Sequence, residues 1–395
     1  MRTTLNSNII DRQNDSSKYG STMKNPEEFL KNNWQKQPCF LKNGFEESLN
    51  YLTPEQLIDL SLDDEIESRL ISNSSINNDW RLEHGPFENE HFEKLKDPAW
   101  TLLIQSIDSW RPETRKILES FKFIPNWRYD DLMVSFATDK GGVGPHVDNY
   151  DVFLIQAAGK RRWRVGQMND IPSPAQSGSG LPHVESFDSI IDVEMEAGDI
   201  LYIPPNTAHW GESIGESIGY SVGYRSPQVD SLLSSIGESI NADYQLNPFF
   251  TDQYRQNCND SAEIEDELIV WVQKQLRRLA DNPELIKRSV AKQLSYSKFA
   301  LTELSEPLVP TSLNINSILL LDRGFKANWV SLDNQILLSI EGESWSFGIK
   351  SRPAIEKLVS YEPFSIKLFN FSPDLIDFPE SFTNLISTGY ITLLK

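Results

Sequence analysis

The chain has 395 residues, of which 39% are hydrophobic and 11% aromatic. That is enough apolar material for two or three domain cores, so the composition excludes a fibre and a largely disordered chain. Lysine and arginine number 37 and aspartate and glutamate 57, which gives a formal charge of −20. A surface this acidic is repelled by phosphate backbones, so the charge argues against nucleic-acid binding and favours basic partners.

The sequence lacks features typical of secreted and membrane proteins, which indicates the cellular compartment. The two cysteines, Cys39 and Cys258, form no CxxC pair, so neither a disulfide framework nor a cysteine zinc site is indicated. No apolar run approaches the roughly 20 residues that span a bilayer, and the N-terminus lacks the apolar core of a signal peptide. We therefore predict a cytoplasmic protein without membrane association. Residues 1–24 are rich in Asn, Ser and Asp and are predicted to form a flexible N-terminal extension.

Residues 25–225 predict an antiparallel β domain. Short apolar runs alternate with Gly, Pro and Asp, and aromatic and β-branched residues concentrate between positions 122 and 225. Thr53, followed by the run PEQLIDL, is typical of a helix start, so a few helices are expected to flank the sheet.

An amphipathic helix is predicted within residues 260–298. Its apolar residues recur at steps of three and four: Ile264, Leu268, Trp271, Val272, Leu276 and Leu279. Asn282 and Pro283 end this helix and begin another. Trp271 is expected to be buried, either against the β domain or against a second copy of the chain.

The remainder, after the proline-containing break EPLVPTS, predicts a small α+β module. Helical patterns occupy residues 351–359 and 373–387, and strand-like runs occupy 328–340 and 344–349. Residues 303–395 contain 11 acidic and 7 basic side chains, a net charge of about −4. Even if this module has a winged-helix fold, DNA is therefore a poor candidate for its partner.

Five histidines, at positions 84, 91, 146, 183 and 209, limit where metal chemistry can occur. In the segment GGVGPHVDNYDVFLIQ, His146 and Asp148 are two residues apart, so in a strand both side chains point to the same face. With a third ligand they would form the two-histidine, one-carboxylate triad that leaves three positions open on non-haem Fe(II). Competing pairs, His91 with Glu93 and His183 with Glu185, lie in loop-like sequence and are interpreted as surface histidines beside carboxylates.

The segment EMEAGDILYIPPNTAHWG suggests the third ligand. It predicts a turn at 197–199, the strand ILYI, a rigid loop at 204–206 and then His209. His209 follows His146 by 63 residues. That interval suits about four strands running between opposite walls of a small β barrel.

A cosubstrate clamp is predicted in the strand RRWRV. Alternation places Arg161 on one face with Trp163 and Val165, and turns Arg162 and Arg164 outward. A buried guanidinium costs several kcal/mol unless it is paired, and its planar fork matches a carboxylate. Arg161 is therefore expected to hold the distal carboxylate of 2-oxoglutarate, the alternative being a strand-end arginine that reaches solvent.

These segments resemble the JmjC-type 2-oxoglutarate oxygenases, and within them the bacterial ribosomal-protein arginyl hydroxylases. The resemblance runs through WQKQPCFLKNGF, HGPFE, DDLMVSF, GGVGPHVDNYDVFLIQ, GKRRWRVG, IIDVEMEAGDILYIPP and YSVGYRSP. It is close over residues 26–228 and looser beyond. It implies an α+β fold, with a double-stranded β-helix (cupin/JmjC) catalytic domain at 25–228, a helical dimerisation region at 229–300 and a winged-helix-like domain at 301–395.

The resemblance also implies roles for individual residues. His146, Asp148 and His209 match the family's iron ligands, and Arg161 matches its 2-oxoglutarate arginine. Two further residues match positions that contact the substrate in this family. Ser221 matches the residue that meets the substrate guanidinium, and Tyr150 matches the residue that flanks the substrate side chain. Ala137 departs from the family, because a hydroxyl residue that helps to bind the cosubstrate carboxylate is expected there.

The implied enzyme is a homodimer that uses Fe(II), 2-oxoglutarate and O2. It converts 2-oxoglutarate to succinate and CO2 while hydroxylating the β-carbon of an arginine in a large-subunit ribosomal protein. The alternatives are the same chemistry on a ribosomal-protein histidine, lysine demethylation, a non-catalytic cupin that serves as an interaction scaffold, and a zinc-dependent cupin.

Overall fold

The computed structural model describes residues 25–45, 49, 51–74, 79–95, 99–175, 181–242, 244–253, 255, 262–298, 305–371 and 378–394. These residues form two compact units. The first comprises the described residues up to Ile124 together with Tyr129–Arg225, and the second comprises Pro125–Arg128 and the described residues from Ser226 onward. The extension predicted at residues 1–24 lies outside the described residues.

The first unit is built on one ten-stranded antiparallel sheet. Its strands are β1 (Cys39–Leu41), β2 (Ser68–Ser74), β3 (Asp79–His84), β4 (Trp100–Ile104), β5 (Tyr129–Ala137), β6 (His146–Asp148), β7 (Asp151–Val165), β8 (Ile191–Met195), β9 (Ile200–Ile203) and β10 (Thr207–Tyr224). Eight of them follow the order β1-β9-β7-β10-β5-β4-β2-β3, while β6 pairs with β10 and β8 pairs with β7. The predicted β domain is thus confirmed, and the sheet is consistent with a cupin-like jelly roll.

Five short helices complete the first unit. They are α1 (Pro26–Asn32), α2 (Pro54–Leu60), α3 (Asn89–Glu93), α4 (Ile107–Trp110) and α5 (Lys116–Glu119). Helix α2 begins as predicted: the Thr53 side chain accepts a hydrogen bond from the Gln56 backbone, and the Gln56 side chain accepts one from the Thr53 backbone. This reciprocal cap satisfies N–H groups that have no partner inside the helix.

An aromatic cluster joins α1 to strands β7 and β9. The Phe29 ring lies 5.4 Å from Phe153 and 4.9 Å from Tyr202, and all three side chains are fully buried. The Tyr202 hydroxyl donates to one oxygen of Asp151 at 2.5 Å, and the Gln35 side chain donates to the other at 2.9 Å. Because Asp151 is fully buried, these bonds replace the water that its carboxylate has lost.

The second unit combines five helices with two three-stranded sheets. The helices are α6 (Val229–Ala242), α7 (Asp266–Ala280), α8 (Pro283–Leu294), α9 (Arg352–Val359) and α10 (Glu380–Ile386). The strands are β11 (Ile318–Leu321), β12 (Ala327–Ser331), β13 (Gln335–Ile340), β14 (Glu343–Gly348), β15 (Phe364–Ser365) and β16 (Ile391–Leu394), in the orders β15-β11-β16 and β12-β13-β14. No helix of the described ranges has the length and apolarity needed to cross a membrane.

Most predicted elements of the second unit are present. The run predicted as one strand at 328–340 is a hairpin of β12 and β13, and α9 lies where a helix was predicted. Helix α10 begins at Glu380 rather than at 373, and residues 372–377 lie outside the described residues. Helix α8 packs on the β12–β13 hairpin through a small core in which Ala291 meets Leu332 and Leu337. The helical region and the C-terminal module therefore share contacts, and their separation into two domains stays a prediction.

The predicted apolar stripe of α7 is only partly covered: Leu268, Trp271 and Leu279 are half-buried, whereas Val272 and Leu276 are exposed. None of its residues is buried, and the exposed apolar side chains are Ile269, Val270, Val272 and Leu276. Trp271 is partly exposed and contacts the Phe250 ring at 5.6 Å. The predicted helix is confirmed. The described residues leave Trp271 half-buried, so its full burial against the β domain or a second copy stays a prediction.

Tyr202→Phe is expected to lower the free energy of unfolding by about 2 kcal/mol, because it removes a hydrogen bond to a buried carboxylate while keeping the ring in the aromatic cluster. Urea unfolding followed by near-ultraviolet circular dichroism measures the change. The control is Tyr390→Phe, which alters a partly exposed tyrosine of the second unit and is expected to cost less than about 0.5 kcal/mol. Equally small changes in the two variants would contradict the role given to the Asp151 network.

Candidate active site

Strand β6 carries the HxD pair and lies directly beside the start of β10. In this antiparallel pairing His146 is opposite His209 and Asp148 is opposite Thr207. Directly opposed residues project from the same face, so the two imidazoles and the carboxylate converge. The rings of His146 and His209 are 4.2 Å apart, and their Nε2 atoms lie 3.8 and 3.6 Å from Oδ2 of Asp148.

The three side chains suit a divalent metal ion. Nδ1 of His146 lies 2.9 Å from the Gly144 carbonyl, and Nδ1 of His209 lies 2.9 Å from the Thr207 carbonyl. Because a carbonyl only accepts, each Nδ1 carries the proton and each Nε2 lone pair is free to bind a metal. One ligand atom from each residue lies within 4.8 Å of the others. Two imidazoles and one carboxylate are the donor set of the non-haem Fe(II) triad.

Burial sets the protonation of the deepest of these residues. His209 is 2% exposed, and burial, with the His146 ring beside it, lowers the pKa of His209 to about 4. Its imidazole is therefore neutral near pH 7, which is the form that binds metals.

The strands that connect His146 to His209 along the chain differ from the prediction. Three strands, β7 to β9, separate β6 from β10 in sequence rather than about four, and β6 and β10 are neighbours rather than opposite walls. The local prediction before His209 is confirmed: Gly198 lies in a turn with φ of +92°, and a strand at Ile200–Ile203 follows it. His209 itself lies inside β10, because that strand begins directly after the proline-containing loop.

Arg161 projects from the interior face of β7, as predicted. It is 7% exposed, Trp163 on the same face is 6% exposed, and the outward Arg162 pairs with Asp192 at 2.7 Å. The rival prediction, that Arg161 reaches solvent, is wrong. Burial lowers the pKa of Arg161 to about 10, and no carboxylate among the described residues opposes that shift.

Two hydroxyl groups hold the Arg161 guanidinium. Nη1 donates to Ser135 Oγ at 3.0 Å, and Nη2 donates to Ser217 Oγ at 2.9 Å. Ser217 is directly opposed to Ala137 across the β10–β5 pair, so a hydroxyl from the neighbouring strand lies next to the position where one was expected. Sequence reasoning missed both serines. Ser135 could have been found from alternation in DLMVSFA, because it is a polar residue among apolar ones.

A cavity adjoins the Arg161 side chain. Its lining residues are Ser135, Leu154, Ile155, Gln156, Arg161, Trp163, Met195, Gly219, Tyr220 and Ser221. The Trp163 ring lies 6.2 Å from the His209 ring, so one wall of this cavity continues to the histidine pair. Ser221 is thus in the same cavity as Arg161 and is 8% exposed.

Tyr150 and Asp131 add polar groups near the triad. The Tyr150 side chain lies near the Asp148 carboxylate, and its ring lies 5.7 Å from the Arg225 guanidinium. Burial, with Asp148 and Asp131 nearby, raises the pKa of Tyr150 well above its usual value, so the phenol stays protonated. Asp131 is 7% exposed and shares a face of β5 with Met133 and Ser135. Sequence reasoning missed Asp131, although the same alternation in DDLMVSFA identifies it.

The competing histidines lie elsewhere. His91 is on α3, with its ring 5.3 Å from Phe87. His183 is 4% exposed, so its interpretation as a surface histidine is wrong: its ring packs 5.1 Å from Trp80. Among the described residues, His146, Asp148 and His209 form the one group with metal-ligand spacing.

Residues 116–232 of the chain match the JmjC domain family. The ribosomal protein uL16 3-hydroxylase of Escherichia coli (strain K12) is 31% identical over 378 residues, which cover 92% of this chain and 96% of that protein. A probable ribosomal oxygenase of Haemophilus influenzae is 33% identical over 322 residues, covering 79% and 78%. A solved structure of YcfD, a ribosomal oxygenase from Escherichia coli, in complex with cobalt and 2-oxoglutarate, is 29% identical with a TM-score of 0.76 and covers 93% of this chain and 98% of that one.

Arg161→Lys is expected to weaken 2-oxoglutarate binding about 30-fold, because an ammonium group cannot reproduce the two parallel hydrogen bonds that a guanidinium makes to a carboxylate. Isothermal titration calorimetry on the Mn(II)-loaded protein measures the affinity. The matched control is Arg162→Lys, one residue along the strand on its exposed face, which is expected to bind as the wild type does. Wild-type affinity in Arg161→Lys would refute the clamp.

Proposed function

We propose the reaction that this protein catalyses. The chain belongs to the JmjC-domain ribosomal oxygenases, the family of the relatives described above. The protein is an Fe(II)- and 2-oxoglutarate-dependent hydroxylase that takes O2 as its second cosubstrate and acts on a ribosomal protein. The observation that carries this proposal is the convergence of His146, Asp148 and His209 next to a cavity whose one buried cation is Arg161.

The iron ligands in this proposal are Nε2 of His146, Nε2 of His209 and the Asp148 carboxylate. When bound, Fe(II) supplies the O2 chemistry that couples decarboxylation of 2-oxoglutarate to hydroxylation of a C–H bond. The chain itself orients the ligands. Backbone carbonyls accept from both Nδ1–H groups, and the Tyr150 side chain lies near Asp148. Such outer contacts fix ligand geometry and the tautomer of each imidazole.

Arg161 binds the distal carboxylate of 2-oxoglutarate in this proposal. The support is electrostatic: its described partners are neutral hydroxyls, so its positive charge stays uncompensated until an anion enters the cavity. One carboxylate of a dicarboxylate can pair with the Arg161 guanidinium while the other end of the molecule reaches toward the histidines. The buried Trp163 ring forms part of the apolar wall between Arg161 and His209.

The proposed target is the β-carbon of an arginine in a large-subunit ribosomal protein. Support comes from the name of the Escherichia coli relative, which is a uL16 3-hydroxylase, and from the groups around the triad. Ser221 lines the cavity beside Arg161 and Tyr150 lies near Asp148, and both carry hydroxyl groups that can accept from a guanidinium. A protein of charge −20 also attracts basic ribosomal proteins.

The domain assignment follows the same proposal. Residues 25–228 form the catalytic domain, 229–300 the helical dimerisation region and 301–395 the winged-helix-like domain of a cytoplasmic homodimer that does not bind DNA directly. The exposed apolar side chains of α7 support the dimer, because Ile269, Val270, Val272 and Leu276 are costly to leave in water.

Incubation of the purified protein with ribosomal proteins, Fe(II) and 2-oxoglutarate is expected to add one oxygen to an arginine of a large-subunit protein. Intact-mass and fragment-ion spectrometry identify the protein and the residue. His146→Ala is expected to abolish the gain, because it removes one of three metal ligands. Addition of oxygen to a histidine instead would show that the target residue differs while the chemistry is as proposed. If no oxygen is added and no succinate forms, the hydroxylase proposal is overturned.

Leu276→Glu is expected to convert the dimer to a monomer of 45.2 kDa, because it places a charge in an apolar helix face that must be dehydrated on association. Sedimentation equilibrium measures the mass. Lys274→Glu alters an exposed residue of the same helix on its polar side and is expected to leave the dimer intact. A monomeric wild type would rule out the proposed interface.

A further inference from the structure

His183 is a buried histidine outside the proposed metal triad. Its Nε2 atom lies 2.7 Å from the Val143 carbonyl. Because the carbonyl can only accept, Nε2 carries the proton and donates. The opposite side of the ring packs on Trp80, and the backbone of His183 forms an antiparallel bridge with His146. A histidine with no part in metal ligation thus lies against the turn that leads to a ligand.

Three successive carbonyls in that turn each receive one hydrogen bond. Val143 accepts from the His183 side chain, Gly144 accepts from Nδ1 of His146, and Pro145 accepts from the Val184 backbone at 2.9 Å. The middle bond sets the tautomer and the ring orientation of His146. The two outer bonds come from consecutive residues of one segment, so that segment holds the peptide groups on both sides of the one that contains the Gly144 carbonyl.

Gly144 and His183 fit each other closely. The glycine has a φ of +80°, and a Cβ atom added to it would lie 2.5 Å from Nε2 of His183. Glycine is required for the backbone conformation and for the approach of the imidazole. Glycine is also the residue whose backbone rotates most freely, so without outside contacts the Gly144 carbonyl would have no fixed direction.

We propose that His183 is a positioning residue for the metal site. By donating to Val143, it fixes the glycine turn and thereby the carbonyl that orients His146. This inference rests on the proposed metal ligation by His146, Asp148 and His209. The simpler alternative is that His183 only fills space between Gly144 and Trp80. The two differ in one atom: positioning requires the N–H donor, whereas packing requires only the volume.

A matched pair of variants separates these roles. His183→Gln and His183→Met introduce side chains of similar length and volume, but only glutamine can donate to the Val143 carbonyl. With Co(II) as the probe, His183→Met is expected to bind about tenfold more weakly, at the lower end of the range for outer-shell changes, with altered d–d absorption bands. His183→Gln is expected to stay within about threefold of the wild type, because it retains the donor.

Two control variants distinguish failure of this inference from failure of the proposed metal site. His91→Met alters a half-buried histidine away from the triad, which packs on Phe87, and is expected to bind Co(II) as the wild type does. Asp148→Ala is expected to lose Co(II) binding; if it does not, the proposed metal site is wrong. If Asp148→Ala loses binding while His183→Met keeps it, only the role of His183 is overturned. Equal losses in His183→Met and His183→Gln would also overturn it, since volume rather than the donor would then matter.

A measurement on the wild type does not depend on any variant folding. With only five histidines, selective ¹⁵N-histidine labelling resolves the ring nitrogens by NMR. The Nε2–H signal of His183 is expected to be protected from exchange with water and to shift when Zn(II), a diamagnetic probe, is added. A His183 ring protonated on Nδ1 alone, or an Nε2–H signal that Zn(II) leaves unchanged, would overturn the inference.

Discussion

The register between β6 and β10 is the constraint on which the candidate site depends. Strand β6 has only three residues, and two of them are proposed metal ligands. Because side chains alternate along a strand, a shift of one residue would turn His209 away from His146 and Asp148. Strand β10 is fixed by long antiparallel pairings with β7 and β5. The short strand therefore takes its position from a long one that carries the third ligand.

The same strands place opposite charges at the two ends of one interior. Asp148 groups with the two histidines, whereas Arg161 is the buried cation in the cavity wall. Neutral serines hold the guanidinium in place without cancelling its charge. In the proposed reaction, the anionic cosubstrate is attracted to Arg161 and the cationic arginine side chain to the carboxylate of the triad, so the two molecules bind in different parts of the site.

Much of this site follows from alternation and turn chemistry within single segments. The HxD pair, the turn–strand–loop before His209 and the inward direction of Arg161 were all predicted in this way. Relations between distant segments were not. Ser217 lies within an irregularity of β10 between Ile214 and Ile218. Alternation counted from His209 gives its face, but an unbroken register would place it opposite Ala157, four residues from Arg161. The burial of His183 depends on Trp80, about a hundred residues earlier in the chain, and no local pattern reports such a contact.

Crystallography of the protein prepared without oxygen, with Fe(II) and 2-oxoglutarate, tests the account most directly. Anomalous scattering at the iron edge is predicted to give one peak per chain, at about 2.0–2.2 Å from Nε2 of His146, Nε2 of His209 and one oxygen of Asp148, as is usual for metal bonds to nitrogen and oxygen. The distal carboxylate of 2-oxoglutarate is predicted to lie on Arg161. Iron bound to other residues, or 2-oxoglutarate held away from Arg161, would contradict the account.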